Sequence, residues 1–311
     1  MNNHRIVYMG TPAFSAYILE KLIEAKYNIV GVVSQPDREV GRKRILTATP
    51  VKEVALKHNI PVFQPEKIRN DFSFMEELNA DLVVTCAYGQ IVPEAFLNIP
   101  PKGCINIHAS LLPKYRGGAP IQWSIIKGEK QTGITLMEMV KRMDAGVMYA
   151  KEIVDILDSD NYDTLSEKLK LAGAKIILDN LDLYLEDKLI GVPQNEDEVI
   201  IAPNISKEDE HLSFNDTARN IFNKIRGLSS IPGTYAFLDN DKVKFYASSY
   251  EEKKTSHECG EIISFSKTSI DVACQDGVIH ITEIQVPGKQ RTLVKDFLNG
   301  NKTIKIGQIF K

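Results

Sequence analysis

Cysteine is scarce in this 311-residue chain, and the four present, Cys86, Cys104, Cys259 and Cys274, stand far apart with no C-x-x-C pair. That spacing excludes a zinc knuckle, a redox dithiol and a disulfide framework, and it suits a reducing compartment. No apolar run approaches the ~18 residues a membrane span needs. The opening MNNHRIVYMGTP has too short an apolar stretch for a secretory signal, so a cytoplasmic protein with no membrane partner is expected. Neither sign of charge dominates. With a net charge of -3, any polyanion would have to be held by a local basic patch rather than by the field of the whole molecule. Also missing are a G-x-G-x-x-G fingerprint, a P-loop and an H-x-x-x-H pair. The turn GTPAF at residues 10–14 therefore reads as a strand-to-helix connection, and no catalytic metal is expected.

With 43% hydrophobic and 25% charged residues, the chain is long enough for two ordinary domains. Its first half alternates short apolar runs with helical patterns. RIVYMG precedes a helix led by Pro12 with Phe14, Ile18, Leu22 and Ala25 on one face, and NIVGVVS, ADLVVTCAYG and CINIH are continuous apolar runs of the kind that doubly buried strands show. This is an α/β pattern, a doubly wound, mostly parallel sheet whose ligands sit beyond the carboxyl ends of the strands. TGITLMEM and VMYAKEIVDI extend the sheet. A long helix follows, with Thr164 and Glu167 spaced as a capping box and Leu165, Leu169, Ala172 and Ile176 at helical intervals.

Residues 189–205 mix charge with proline and lose any single period, so they read as a linker between a domain at 1–188 and a second at 206–311. In the second, a short helix around NDTARNIFNKIRG leads into five short strands punctuated by Gly, Asn and Asp. A small antiparallel OB-like β-barrel is expected.

Alternation along CINIH puts Asn106 and His108 on one face of a strand, at its carboxyl end. The turn MDAG adds a carboxylate, Asp144. An amide that can donate to an oxyanion, an imidazole and a carboxylate suit acyl transfer to an amine without a covalent intermediate, since no Ser or Cys stands at a recognisable nucleophile elbow. Two stretches are locally basic: PDREVGRKR, with Arg38, Arg42, Lys43 and Arg44, and the C-terminal segment that includes Lys289 and Arg291. Each alone reads as a solvated face, whereas two such patches and a barrel on a mildly acidic protein suggest a locally bound polyanion.

NIHASLLPKYRGGAPIQW followed by TGITLMEMVKRMDAG resembles the folate-dependent formyltransferases, and the resemblance runs the length of the chain. It implies 10-formyltetrahydrofolate as formyl donor, no catalytic metal, and Asn106, His108 and Asp144 as catalytic residues. It also implies donor binding by Ser110, Leu111, Leu112 and Pro113 and by the loop Tyr88, Gly89, Gln90 and Ile91. SQPDREVGRKR with TPVKEVA resembles the loop that tRNA-formylating members insert at an acceptor stem, and IRGL, PGTY, PGKQR and DFLNG resemble their tRNA-contacting barrel. The implied acceptor is methionyl initiator tRNA, contacted through Arg38, Arg42, Lys43, Arg44, Lys289 and Arg291; the alternative is a sugar-nucleotide N-formyltransferase using the same donor. A monomer is expected because no extended apolar stripe is left over. Ser229, Ser230, Ile231 and Pro232 replace the family's Asn-Pro-aromatic-Pro turn, which predicts a looser join between helix and barrel.

Overall fold

A computed structural model describes residues 4–41, 43–300 and 303–311. The chain forms two compact units. One runs to Pro120 and takes in Gln131–Asp155 and Ser166–Pro203, and the other combines Ile121–Lys130, Ile156–Leu165 and Asn204–Lys311.

The first unit is built on seven strands: β1 (Ile6–Gly10), β2 (Ile29–Val33), β5 (Val62–Phe63), β6 (Leu82–Cys86), β7 (Cys104–His108), β8 (Gln131–Glu138) and β9 (Met148–Asp155). Between them, β3 (Arg38–Val40) and β4 (Ile45–Thr47) make a separate two-stranded hairpin. The large sheet has the order β5-β2-β1-β6-β7-β8-β9. Its first five strands are parallel, and β8 and β9 add antiparallel. Ile6, Val7, Tyr8 and Met9 are all fully buried, as the unbroken apolar run requires of a strand covered on both faces. Helices α1 (Ala13–Glu24), α2 (Pro50–Lys57), α3 (Phe74–Leu78) and α4 (Glu94–Leu97) fall between the strands. On α1, Ile18 and Leu22 are buried as periodicity demands, while Ala25 is already the C-cap and is exposed.

Helix α5 (Pro120–Ile126) follows β7, and the long α6 (Tyr162–Leu185) follows β9. Leu165, Leu169, Ala172 and Ile176 of α6 are buried along one stripe. Its start differs from the expected Thr164–Glu167 box. The Asn161 side-chain carbonyl oxygen accepts from the Thr164 N–H at 3.0 Å, and the Thr164 hydroxyl accepts from the Asn161 N–H at 3.0 Å. The reciprocal pair therefore sits one turn earlier, and Glu167 pairs with Lys170 on the helix surface instead.

Residues 189–205 are not an unpaired connection. Met148 and Val192 exchange backbone hydrogen bonds of 2.9 and 2.8 Å, Arg116 N–H donates to Ile200 O at 2.9 Å, and Ala202 N–H donates to Arg116 O at 2.7 Å. As far as Pro203 this strap belongs to the first unit. Its irregular period reflects pairing by single bridges rather than by a continuous strand.

In the second unit, α7 (Lys207–Glu210) and α8 (Ala218–Gly227) precede β10 (Thr234–Leu238), β11 (Asp241–Glu251), β12 (Ile262–Phe265), β13 (Ile270–Ala273), β14 (Val278–Gln285), β15 (Thr292–Leu293) and α9 (Val294–Leu298). The antiparallel order is β10-β11-β14-β13-β12, with β15 on β14. Residues 308–311 join the two edges. Phe237 and Lys311 exchange hydrogen bonds on β10, while at the β12 side Gln308 O accepts from Ile262 N–H and Gly260 O accepts from Phe310 N–H. The edges are thereby occupied, which is how a small sheet avoids exposed strand edges. Phe214, Phe245 and Phe310 pack ring on ring inside it.

Residues 156–165 join this unit because two arginines of α8 fasten them. Arg226, buried, donates to Leu157 O and Asp160 O at 2.8 Å, and Arg219 binds Asp158 bidentately. The turn after α8 is also held. Ser229 is buried, the Ser230 hydroxyl donates to the Asp163 carboxylate at 2.6 Å, and Gly233 N–H donates to Leu228 O at 2.8 Å. Polar bonds thus replace the aromatic anchor whose loss predicted looseness.

Candidate active site

Strand β7 aims Asn106 and His108 at the same face, with Asn106 half-buried and His108 buried. The Asn106 side chain has no hydrogen bond or ion pair to another described residue, so its amide is open to a substrate. His108 is more committed. Its Nε2 lies 2.9 Å from the Tyr115 carbonyl oxygen; because a carbonyl can only accept, that nitrogen carries a proton. The other nitrogen, Nδ1, faces an Asp144 carboxylate oxygen at 3.7 Å. That is ion-pair range but too long for a hydrogen bond. Nδ1 is thus the ring atom left to meet a substrate, with a carboxylate beside it.

The loop after β7 holds Tyr115 in place for this. The Ser110 hydroxyl donates to Lys114 O at 2.7 Å. On β8, directly opposite His108, the buried Thr135 hydroxyl donates to Ser110 O at 2.7 Å and accepts from Leu112 N–H at 3.1 Å. Asp144 sits between β8 and β9 at φ 50, the left-handed region that aspartate tolerates better than most residues. Its second carboxylate oxygen accepts from Gly117 N–H at 2.9 Å. Two glycines here are required by space. A Cβ on Gly146 would stand 2.1 Å from Glu138 O, and one on Gly117, at φ 123, would stand 2.4 Å from Ala202 O.

The segments expected to bind the donor lie past the carboxyl ends of neighbouring strands, Tyr88–Ile91 after β6 and Ser110–Pro113 after β7. Ser110, Leu112, Pro113 and Tyr88 have buried side chains, so what they offer a ligand is backbone. Tyr88 packs into the core, and its carbonyl accepts from the Thr11 hydroxyl and the Gln35 amide. Gln90 is spent on Ile68 N–H, Pro65 O and Glu66 O. Gly89, at φ 90, and Ile91, 79% exposed, are open, and Leu111 is half-buried. Burial pushes the Cys86 and Cys104 thiols, at the ends of these strands, up to about 12. Neither is a thiolate near neutral pH, which leaves no activated sulfur nucleophile here.

Arg38, Lys43 and Arg44 lie on or between β3 and β4, a hairpin whose Val40, Ile45 and Leu46 are exposed. Arg42 lies outside the described residues. The root of the hairpin is fixed, since Lys52 donates to Asp37 at 2.6 Å and to Gln64 at 2.8 Å. Arg291 is bound bidentately to Glu283 at 2.7 Å and lies over the Tyr246 ring, and Lys289 lies over Phe297.

A family model described as formyl transferase matches residues 4–181, and another, formyl transferase, C-terminal domain, matches residues 204–302. The chain belongs to the formyl transferase family. A methionyl-tRNA formyltransferase of Malacoplasma penetrans is 44% identical over 309 residues, 99% of this chain and 97% of its own length. Among solved formyl transferase folds, the N-formyltransferase from Helicobacter canadensis, in complex with folinic acid and dTDP-3-aminofucose, has TM-score 0.69 at 16% identity, covering 89% of this chain and 98% of that one. HypX from Aquifex aeolicus in complex with tetrahydrofolic acid has TM-score 0.67 at 16% identity and covers all of this chain. This chain spans about half of HypX, 51%. At such identities the likeness shows the fold alone.

The side chains of this candidate site stand out along the sequence, but the groups that hold them do not. Thr135 lies on a different strand, and the Tyr115 carbonyl and Gly117 N–H are backbone groups. Only their placement opposite β7, and the glycine in YRGG, hint at them.

Proposed function

We propose that this chain transfers the formyl group of 10-formyltetrahydrofolate to the α-amine of methionyl initiator tRNA, giving N-formylmethionyl-tRNA for translation initiation. The observation that carries the reading is the 44–45% identity, over nearly the whole chain, to methionyl-tRNA formyltransferases, joined to a half-buried amide and a buried imidazole at the carboxyl end of β7 with the Asp144 carboxylate beside the imidazole. The donor is a substrate and supplies the formyl carbon. The neutral amine bonds to that carbon, the bond from carbon to the folate nitrogen breaks, and that nitrogen takes a proton.

The chain's own residues do three things. The Asn106 amide donates to the formyl oxygen as negative charge gathers on it, a contribution worth roughly a hundred- to a thousandfold in other acyl transfers. His108 presents Nδ1 at the same place and moves a proton between amine and leaving nitrogen, and Asp144 orients the ring and balances its charge. The backbone of Ser110–Pro113 and of Gly89, with the exposed Ile91, lines the crevice for the flat pterin. The β3–β4 hairpin and the basic residues of the second unit take the tRNA. The reading takes the chain to act as a monomer, since its sequence leaves over no extended apolar stripe.

The test is transfer of radiolabelled formyl from the donor to charged initiator tRNA, beside elongator methionyl-tRNA and a dTDP-amino sugar. Labelled initiator tRNA with little label on the other two is expected. Label on the sugar nucleotide and none on either tRNA would overturn the acceptor and leave the donor chemistry standing.

A further inference from the structure

The strap across the first unit, which lies between the two regions matched by family models, places one side chain against the candidate site. The Gln194 amide nitrogen donates to both Asp144 O and Gly146 O, each at 2.8 Å, and its carbonyl oxygen accepts from Arg116 Nε at 2.9 Å. Arg116 is buried between the two residues that complete the site: Tyr115, whose carbonyl bonds His108, and Gly117, whose N–H bonds Asp144. The rest of the guanidinium reaches Glu196 at 2.9 Å, and Glu196 in turn holds Arg142 at 2.7 Å. This chain of contacts also accounts for the basic Arg142 ahead of the Asp144 turn.

A fastening role for the strap does not require this side chain. Backbone bonds already secure it on both sides, Met148 with Val192 before Gln194, and Arg116 with Ile200 and Ala202 after it. What the Gln194 amide adds is two donors aimed at the two carbonyls of a three-residue turn. That turn carries Asp144 in a left-handed conformation, with Asp144 and Ala145 half-buried and Gly146 buried. We propose that Gln194 is a positioning residue of the transfer site: by gripping both ends of the Asp144-Ala145-Gly146 turn and the arginine beneath it, it sets the carboxylate against His108. This rests on the roles of His108 and Asp144 proposed above.

Gln194→Glu keeps the length and an acceptor for Arg116 but sets a carboxylate against two carbonyl oxygens; Gln194→Ala removes all three bonds and adds no charge. Both should lower kcat, by up to about a hundredfold as for an ~1 Å misplacement of a reacting group, with both KM values within about twofold; Gln194→Ala, which strands two carbonyls and the Arg116 Nε–H, should also lower the thermal midpoint. In the Asp144→Asn background the same change should cost little more, because both act through one carboxylate. Losses that multiply fully, or a loss confined to KM, would overturn the assignment. The His108 imidazole 15N resonances give a readout independent of turnover. Gln194→Ala should move them in the sense that Asp144→Asn does, and unmoved signals would overturn the assignment. A parent that transfers no formyl group, with signals that still move, would sink the functional reading and leave the positioning role intact.

Discussion

At the scale of single residues, the proposed site divides into groups placed to meet substrate and groups that aim them, and the two should fail differently. Asn106→Ala removes an amide engaged with no other described residue. It should leave stability and tetrahydrofolate binding nearly unchanged and lower kcat by about a hundred- to a thousandfold. Single-turnover formylation rates read beside equilibrium binding check this, and near-normal turnover would remove Asn106 from the mechanism. Thr135→Val is the reverse case. The buried hydroxyl serves Ser110 O and Leu112 N–H at once, so its loss strands two backbone groups without adding volume. A stability cost of about 1–3 kcal/mol is expected, seen as a lower urea midpoint. The contrast also explains what was legible. Asn106 and His108 share a period-two strand, and Asp144 announces itself in a D-x-G turn. Thr135 is brought to the loop by strand pairing, and Gln194 by a strap whose sequence has no period at all.

At the scale of elements, the β3–β4 hairpin is the clearest case of sequence and structure agreeing on exposure while disagreeing with burial instincts. Val40, Ile45 and Leu46 are more than half exposed on a segment that carries Arg38, Lys43 and Arg44. Its exposed ion pairs, Arg38 with Glu66 and Arg44 with Glu39 at 3.8 Å, are worth little. Its root is tied down by Lys52, Asp37 and Gln64, so the tip can engage a partner without loosening the sheet. Lys43→Gln with Arg44→Gln should therefore raise the apparent KM for tRNA, leave the donor KM alone, and flatten the dependence of log KM on log salt by about one for each phosphate no longer neutralised. Unchanged slopes over a salt series would return the hairpin to a solvated loop. Elements with strong periodicity, such as β1, β7 and the buried stripe of α6, could be read directly. The first turn of α6 and the strap could not, because their partners are Asn161, ahead of the helix, in one case and isolated bridges in the other.

At the scale of the whole molecule, a net charge of -3 is too small for self-repulsion to set stability, so pH should act through individual carboxylates. Asp271 on β13 is the most buried of those shifted. Burial by itself would raise its pKa, but bonds from the Ser264 and Ser269 hydroxyls at 2.6 Å and from the facing His280 at 2.7 Å outweigh it and leave the carboxyl below its usual range. Asp158 is lowered by Arg219, Asp37 by Gln64 and Lys52, and Glu20 by Lys57, all nearer the surface and therefore weaker contributors. A carboxylate whose folded pKa lies below its unfolded value, near 3.9 for aspartate, adds stability that is fully present above that value and is lost as pH falls through the folded one. Urea midpoints should therefore hold level from about pH 7 to 5 and drop below about pH 4. The lone tryptophan, Trp123, belongs to the same unit as Asp271, so its fluorescence reports the transition there. Asp271→Asn should be less stable than the parent at pH 7 and should lose less on acidification, the two curves converging near pH 2. A constant gap between them across that range would mean that the carboxylate's charge contributes nothing and that only its hydrogen bonds matter.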